Sequence, residues 1–165
     1  MTQDTPTAPP TVASDGNDAL EIRGATILLV DDNEQNLELL QAYLEELGCE
    51  IRLARDGIDA LADIQRKAPD IILLDVMMPR MSGFQMCQKL KRDPAHAWIP
   101  VVMVTALNEV ADVERAVECG ADDFLTKPVN RLELVTRVRS LIRVSLLQRR
   151  LASTMAELKR LHGGG

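Results

Sequence analysis

Five short apolar runs, each followed by a stretch of helical spacing, constrain this chain more than any other feature. The runs are ATILLV (25–30), EIRLA (50–54), DIILLD (70–75), PVVMVT (100–105) and DDFLT (122–126). They are β-rich, and most are apolar throughout, the mark of strands buried on both faces of a parallel sheet. Between them lie helical stripes: Leu37, Leu40, Leu44 and Leu47, closed by Gly48; Ile58, Leu61, Ala62 and Ile64; Phe84, Cys87 and Leu90; and Val110, Val113 and Val117, closed by Gly120. Ser82 with Gln85, and Asn130 with Glu133, have the spacing of capping boxes at helix starts. Strict alternation of strand and helix requires right-handed crossovers and gives an α/β, doubly wound, five-stranded parallel sheet. In such a sheet the ligand crevice lies beyond the carboxyl ends of the strands.

The interior must be aliphatic, because 46% of residues are hydrophobic but only 2% aromatic. Stacking readers of single-stranded nucleic acid need aromatics that this chain lacks. Cys49, Cys87 and Cys119 form no CxxC pair, so neither a zinc site nor a disulfide framework is expected, and a reducing cytoplasm fits best. No apolar run reaches the length of a membrane span. The first 23 residues are rich in Pro, Thr, Ala and Asp without periodicity, and a disordered arm is expected there.

The last helix is longer than the sheet can cover. Apolar residues continue from Leu132 to Leu161 without a breaker before Gly163. About 32 residues at 1.5 Å each would extend about 48 Å. Val144, Leu147, Leu151, Thr154, Leu158 and Leu161 follow alternating steps of three and four, the seam of a coiled coil. Homodimerisation through this helix is one reading; packing of the stripe on its own domain is the other. The charge is divided too. Residues 1–130 hold 11 Lys and Arg against 23 Asp and Glu, whereas residues 131–165 hold eight against two, within a net charge of −6. A solvated face opposite the stripe accounts for Arg137, Arg139, Arg143, Arg149 and Arg150, so no nucleic-acid partner is expected. Too little chain follows for a helix-turn-helix module.

The residues just past each strand are the chemically informative ones. Asp31 and Asp32 follow the first, Asp75 the third, Thr105 the fourth and Lys127 the fifth. Topology brings three carboxylates, a hydroxyl and an ammonium to one edge of the sheet. Three anions in one crevice raise each other's pKa unless offset, and a hard cation with oxygen ligands, Mg²⁺ above all, is the natural remedy. Taken singly, a strand-end Asp is more often a helix cap, and the constellation is what points to a site.

The stretches LLVDDNEQN, DIILLDVMMPRMSG, VMVTA and GADDFLTKP together resemble the receiver domain of two-component response regulators. The resemblance covers roughly residues 24 to 143. It implies a flavodoxin-like fold with strand order 2-1-3-4-5 and a receiver domain over 24–143; past that, the residue pattern itself leaves a helical extension over 144–162 and a flexible glycine tail over 163–165. It also implies that Asp75 accepts a phosphoryl group from a histidine kinase or phosphotransfer protein. Asp32 would bind Mg²⁺ directly, Asp31 largely through water, and Met77 through its backbone carbonyl. Thr105 and Lys127 would grip the phosphoryl oxygens, Phe124 would be the aromatic switch, and the Lys127–Pro128 bond would be cis. Ser82 departs from the family pattern, in which an Asp often precedes the glycine.

Haloacid-dehalogenase-type phosphatases share an Asp nucleophile, Mg²⁺, Ser or Thr, and Lys. They need a second Asp two residues past the nucleophile as general acid and base. Here that residue is Met77, and two past Thr105 stands Leu107, so neither can activate water. A persistent acyl phosphate suits a switch rather than a turnover enzyme. The chain therefore reads as a phosphorelay regulator, stand-alone or as the regulatory part of a cyclic-dinucleotide enzyme, phosphatase or kinase.

Overall fold

The computed structural model describes residues 22–106 and 110–164. Five parallel strands, β1 (Thr26–Val30), β2 (Glu50–Ala54), β3 (Ile71–Asp75), β4 (Val101–Thr105) and β5 (Asp123–Thr126), form one sheet in the order 2-1-3-4-5. The helices between them are α1 (Glu34–Leu44, continued by a 3₁₀ turn over Glu45–Leu47), α2 (Gly57–Arg66), α3 (Gly83–Arg92), α4 (Val110–Glu118) and α5 (Arg131–His162). Four of the expected strands begin one residue late and the fifth, β2, matches its expected bounds.

Because side chains alternate across a strand, each central strand feeds two cores. Ile27 and Leu29, with Ile71, Leu73, Val102 and Val104, face Leu37, Leu40, Leu44 and the first half of α5. Leu28, Val30, Ile72, Leu74 and Met103 face Ala60, Ile64, Phe84, Cys87, Leu90 and Ala116. Registers of Leu29 with Leu73 and of Asp75 with Val104 hold the strand ends level, so the residues just beyond them share one edge.

Local chemistry starts the helices where this edge needs them. Asn33, Asp56, Ser82 and Asn130 accept hydrogen bonds from the backbone N–H groups of Asn36, Asp59, Gln85 and Glu133, at 3.2, 2.8, 3.2 and 3.0 Å. Among the described residues the Ser82 cap is reciprocal, with the Gln85 side chain accepting from the Ser82 amide at 3.0 Å.

Two expected stripes sit differently. On α2, Ile64 is buried as expected, but Ile58 and Ala62 are exposed, and Gly57, Ala60 and Asp63 are buried in their place. On α4, Val113 and Val117 are exposed, while Ala116, with Cys119 just beyond, faces the sheet. Small residues take part in both buried faces, Gly57 and Ala60 on α2 and Ala116 on α4, so bulk alone does not mark the inward side. At the amino end, the expected arm lies outside the described residues apart from Ile22 and Arg23. Ile22 is buried in the first core, and its carbonyl accepts from the Ala25 amide at 2.9 Å, so packing starts before residue 24.

Helix α5 is continuous over 32 residues. Leu134, Val135, Val138, Ile142 and Ser145 are buried, and every residue from 147 to 164 is exposed. Gly163 ends the helix by donating its amide to the Lys159 carbonyl at 2.9 Å. Among the described residues, no helix is long and apolar enough to cross a membrane.

Candidate functional site

The carboxyl edge of the sheet gathers Asp31, Asp32, Asp75 and Lys127. One oxygen from each of the three carboxylates lies within 4.8 Å of the others. Asp31 and Asp75 are buried, whereas Asp32 faces solvent. Lys127 Nζ bridges the two buried carboxylates, 3.3 Å from Asp31 Oδ2 and 3.4 Å from Asp75 Oδ1. The contact joins residues 96 positions apart in the chain.

The charge does not balance. Lys127 is the one cation that contacts Asp31 and Asp75 among the described residues. Burial, and then the negative charge of Asp31, push the Asp75 carboxyl up to about 6. Lys127 opposes this by charge and by hydrogen bonding, and the Met77 backbone N–H adds a smaller opposing bond. At neutral pH Asp75 is nevertheless ionised, so it keeps the lone pair that a nucleophile needs. The residual negative charge, carried wholly on oxygen, fits a hard divalent cation such as Mg²⁺.

The remaining expected residues have different relations to this cluster. Thr105 is fully buried at the end of β4, beside the strand that delivers Asp75, and its carbonyl accepts the Lys127 amide at 2.7 Å. The Lys127–Pro128 peptide bond is cis. Met77 lies on the loop after β3, with its side chain 64% exposed. Phe124 sits on β5 in register with Met103, half-buried against the second core, with its backbone two positions short of the strand end. Leu107 lies outside the described residues.

Sequence reasoning missed the support behind Asp75. A Cβ on Gly83 would stand 2.2 Å from the Asp75 carbonyl oxygen and 2.9 Å from Val76 Cα. The Gly83 amide donates to the Val76 carbonyl at 2.9 Å, so the start of α3 is pressed directly against the backbone at Asp75. The intervening loop is anchored by Arg80, at positive φ (67°), whose guanidinium reaches Asp56 Oδ2 at 2.5 Å. Glycine at 83 was the available signal; the need for it there appears only once α3 and β3 meet.

A five-stranded parallel sheet in the order 2-1-3-4-5, with acidic residues and a lysine converging past its strand ends, defines a flavodoxin-like α/β domain. The family model for the response regulator receiver domain matches residues 27–139. The chain belongs to that family. It is 53% identical over 123 residues to the response regulator PleD of Caulobacter vibrioides, covering 74% of this chain and 27% of PleD. It is 43% identical over 117 residues to the DNA-binding dual master transcriptional regulator RpaA of a Synechocystis strain, covering 71% of this chain and 48% of RpaA. The chain thus spans about a quarter and about half of these relatives' lengths. Among solved structures, the signal receiver domain of a signal transduction histidine kinase from Syntrophus aciditrophicus superposes with a TM-score of 0.69 at 39% identity, covering 73% of this chain and 91% of that one. A receiver domain is a regulatory domain of two-component signalling, and this chain has that role.

Proposed function

We propose that this chain is a Mg²⁺-dependent phospho-acceptor switch, with Asp75 as the residue modified. The observation that carries the reading is the bridge from Lys127 to both Asp31 and Asp75, with Asp32 alongside, at the carboxyl ends of three strands. Asp31, Asp32, Asp75 and the Met77 backbone oxygen would hold the Mg²⁺, which when bound neutralises charge on the phosphoryl oxygens.

The chain's own groups do the rest. An ionised oxygen of Asp75 forms the new O–P bond as the P–N bond of a phosphohistidine donor breaks, and the imidazole nitrogen takes up a proton from solvent. Lys127, already within reach of Asp75, pairs with a phosphoryl oxygen. Thr105 supplies a hydroxyl to another, and Phe124 repacks as Thr105 moves. Position 77 offers only a thioether, so it has no proton to give to or take from an attacking water, and the acyl phosphate persists. The donor is a histidine kinase or phosphotransfer protein of the cytoplasm. The switched body spans about 24–143, and the output is a changed interaction with a partner or a covalently joined effector.

Intact mass after incubation with acetyl phosphate and Mg²⁺ tests this. One phosphoryl adduct is expected, absent in Asp75→Ala and absent with EDTA. An equal adduct on Asp75→Ala overturns the assignment.

A further inference from the structure

Helix α5 carries two apolar stripes, and the receiver body uses only one. Val135, Val138, Ile142 and Ser145 step by three and four along the face that packs on the sheet. Arg149, four residues further on the same line, reaches back to the body. It pairs with Asp70, and its guanidinium lies 4.8 Å from the centre of the Trp98 ring. That contact ends the stripe, because Ala152, Ala156 and Lys159 follow it and all are exposed.

The second stripe is Val144, Leu147, Leu151, Thr154, Leu158 and Leu161. At 3.6 residues per turn its centre lies roughly 170° around the helix from the first, so it points away from the body. The five apolar members are 48–74% exposed, and Thr154 is exposed too. The stripe begins at Val144, where the helix starts to leave the sheet. The same line upstream carries Arg137 and Ser140, which are polar.

We infer that a second copy of this chain covers the outward stripe, its helix running antiparallel. A seam of alternating three- and four-residue steps is self-complementary: one copy offers the knobs and holes that another fits. At roughly 100 Å² of outward surface apiece, two such stripes together reach the about 1,000 Å² that marks a specific interface. The flanking charges set the direction. Arg150 and Glu157 lie on the same flank of the seam, seven residues apart. In an antiparallel pair with its axis between Leu151 and Thr154, Arg150 of each copy faces the partner's Glu157, and this contact occurs twice. In a parallel pair the same flank meets the partner's Gln148, Met155 and His162, none of which is a carboxylate. The receiver body leans on the opposite side of α5 and leaves the approach clear.

Sedimentation of the full chain from about 1 to 200 μM decides the matter. Wild type is expected to dimerise in this range. Leu151→Glu with Leu158→Glu is expected to weaken association roughly 100-fold, while the acetyl phosphate adduct and the far-ultraviolet spectrum stay unchanged, which separates this inference from the reading of Asp75. Arg150→Glu alone weakens dimerisation about tenfold, and adding Glu157→Arg restores it. A wild-type monomer throughout overturns the proposal and leaves the seam to another partner, as does a dimer that survives the paired glutamates. Failure of Glu157→Arg to rescue Arg150→Glu overturns the antiparallel arrangement.

Discussion

Carboxylates stand at both ends of this sheet, and the two ends treat them in opposite ways. At the amino end, Asp70 and Asp122 each close a strand pair by a reciprocal contact. The Thr26 amide donates to Asp70 Oδ2 at 2.7 Å while the Asp70 amide donates to the Thr26 carbonyl at 2.8 Å. Val101 and Asp122 repeat the device at 2.7 and 2.9 Å. Each carboxylate also has its own cation, Arg149 for Asp70 and Lys91 for Asp122, the latter at 3.0 Å. At the carboxyl end, three carboxylates cluster and, among the described residues, the ammonium of Lys127 is the cation that reaches two of them, Asp31 and Asp75. One end uses carboxylates as matched braces. The other accumulates charge without matching it, and that excess is what suits it to a cation.

Substitutions can break or sharpen this contrast. The largest effect is expected at Gly83→Ala. The obstacle to a Cβ there is the Asp75 backbone and not a flexible side chain, so α3 and Asp75 must separate. A loss of about 3–5 kcal/mol in urea unfolding is expected, with loss of the phosphoryl adduct. A near-neutral result would show that Asp75 is not held from behind by α3.

Next in size is the braced end. Asp70→Asn leaves Arg149 without its carboxylate and weakens the acceptor for Thr26, and should cost about 2 kcal/mol. Asp75→Asn is the matched change at the other end and should have the opposite sign, because it relieves repulsion. A native carboxyl raised to about 6 holds its proton more tightly than the unfolded chain does. Metal-free stability therefore falls as pH rises from about 4 through 6, and Asp75 is a net cost above that range. Asp75→Asn should stabilise the metal-free protein by about 1–2 kcal/mol at pH 7.5, with no gain below pH 4. Equal destabilisation by both asparagine variants would erase the distinction between the ends.

The same contrast explains what could be read from sequence. Strand-end position is encoded by short apolar runs, so Asp31, Asp32, Asp75, Thr105 and Lys127 were legible as residues of one edge. The braces were not. Asp70 and Asp122 look like ordinary strand-boundary residues, and nothing local announces that Arg149, 79 positions away, returns to Asp70. Buried faces were legible where bulky residues mark them, as with Leu37, Leu40 and Leu44, or Phe84, Cys87 and Leu90. They were misread where small residues make the contact, so that Ile58, Val113 and Val117 were expected inside and lie outside. The outward stripe on α5 was visible as a pattern, but its separation from the body depends on which side of the helix the sheet occupies.

The central claim is that the unmatched carboxylates form a divalent-cation site required for Asp75 chemistry. Its most direct test is the unfolding midpoint at pH 7.5 across a Mg²⁺ titration. Wild type should gain about 1.4 kcal/mol at ten times the dissociation constant, since a ligand that binds only the folded state stabilises it by mass action. Asp70→Asn should keep that gain in full, whereas Asp32→Asn and Asp75→Asn should lose most of it. A wild-type midpoint unmoved by Mg²⁺, or one moved equally in Asp75→Asn, would contradict the account.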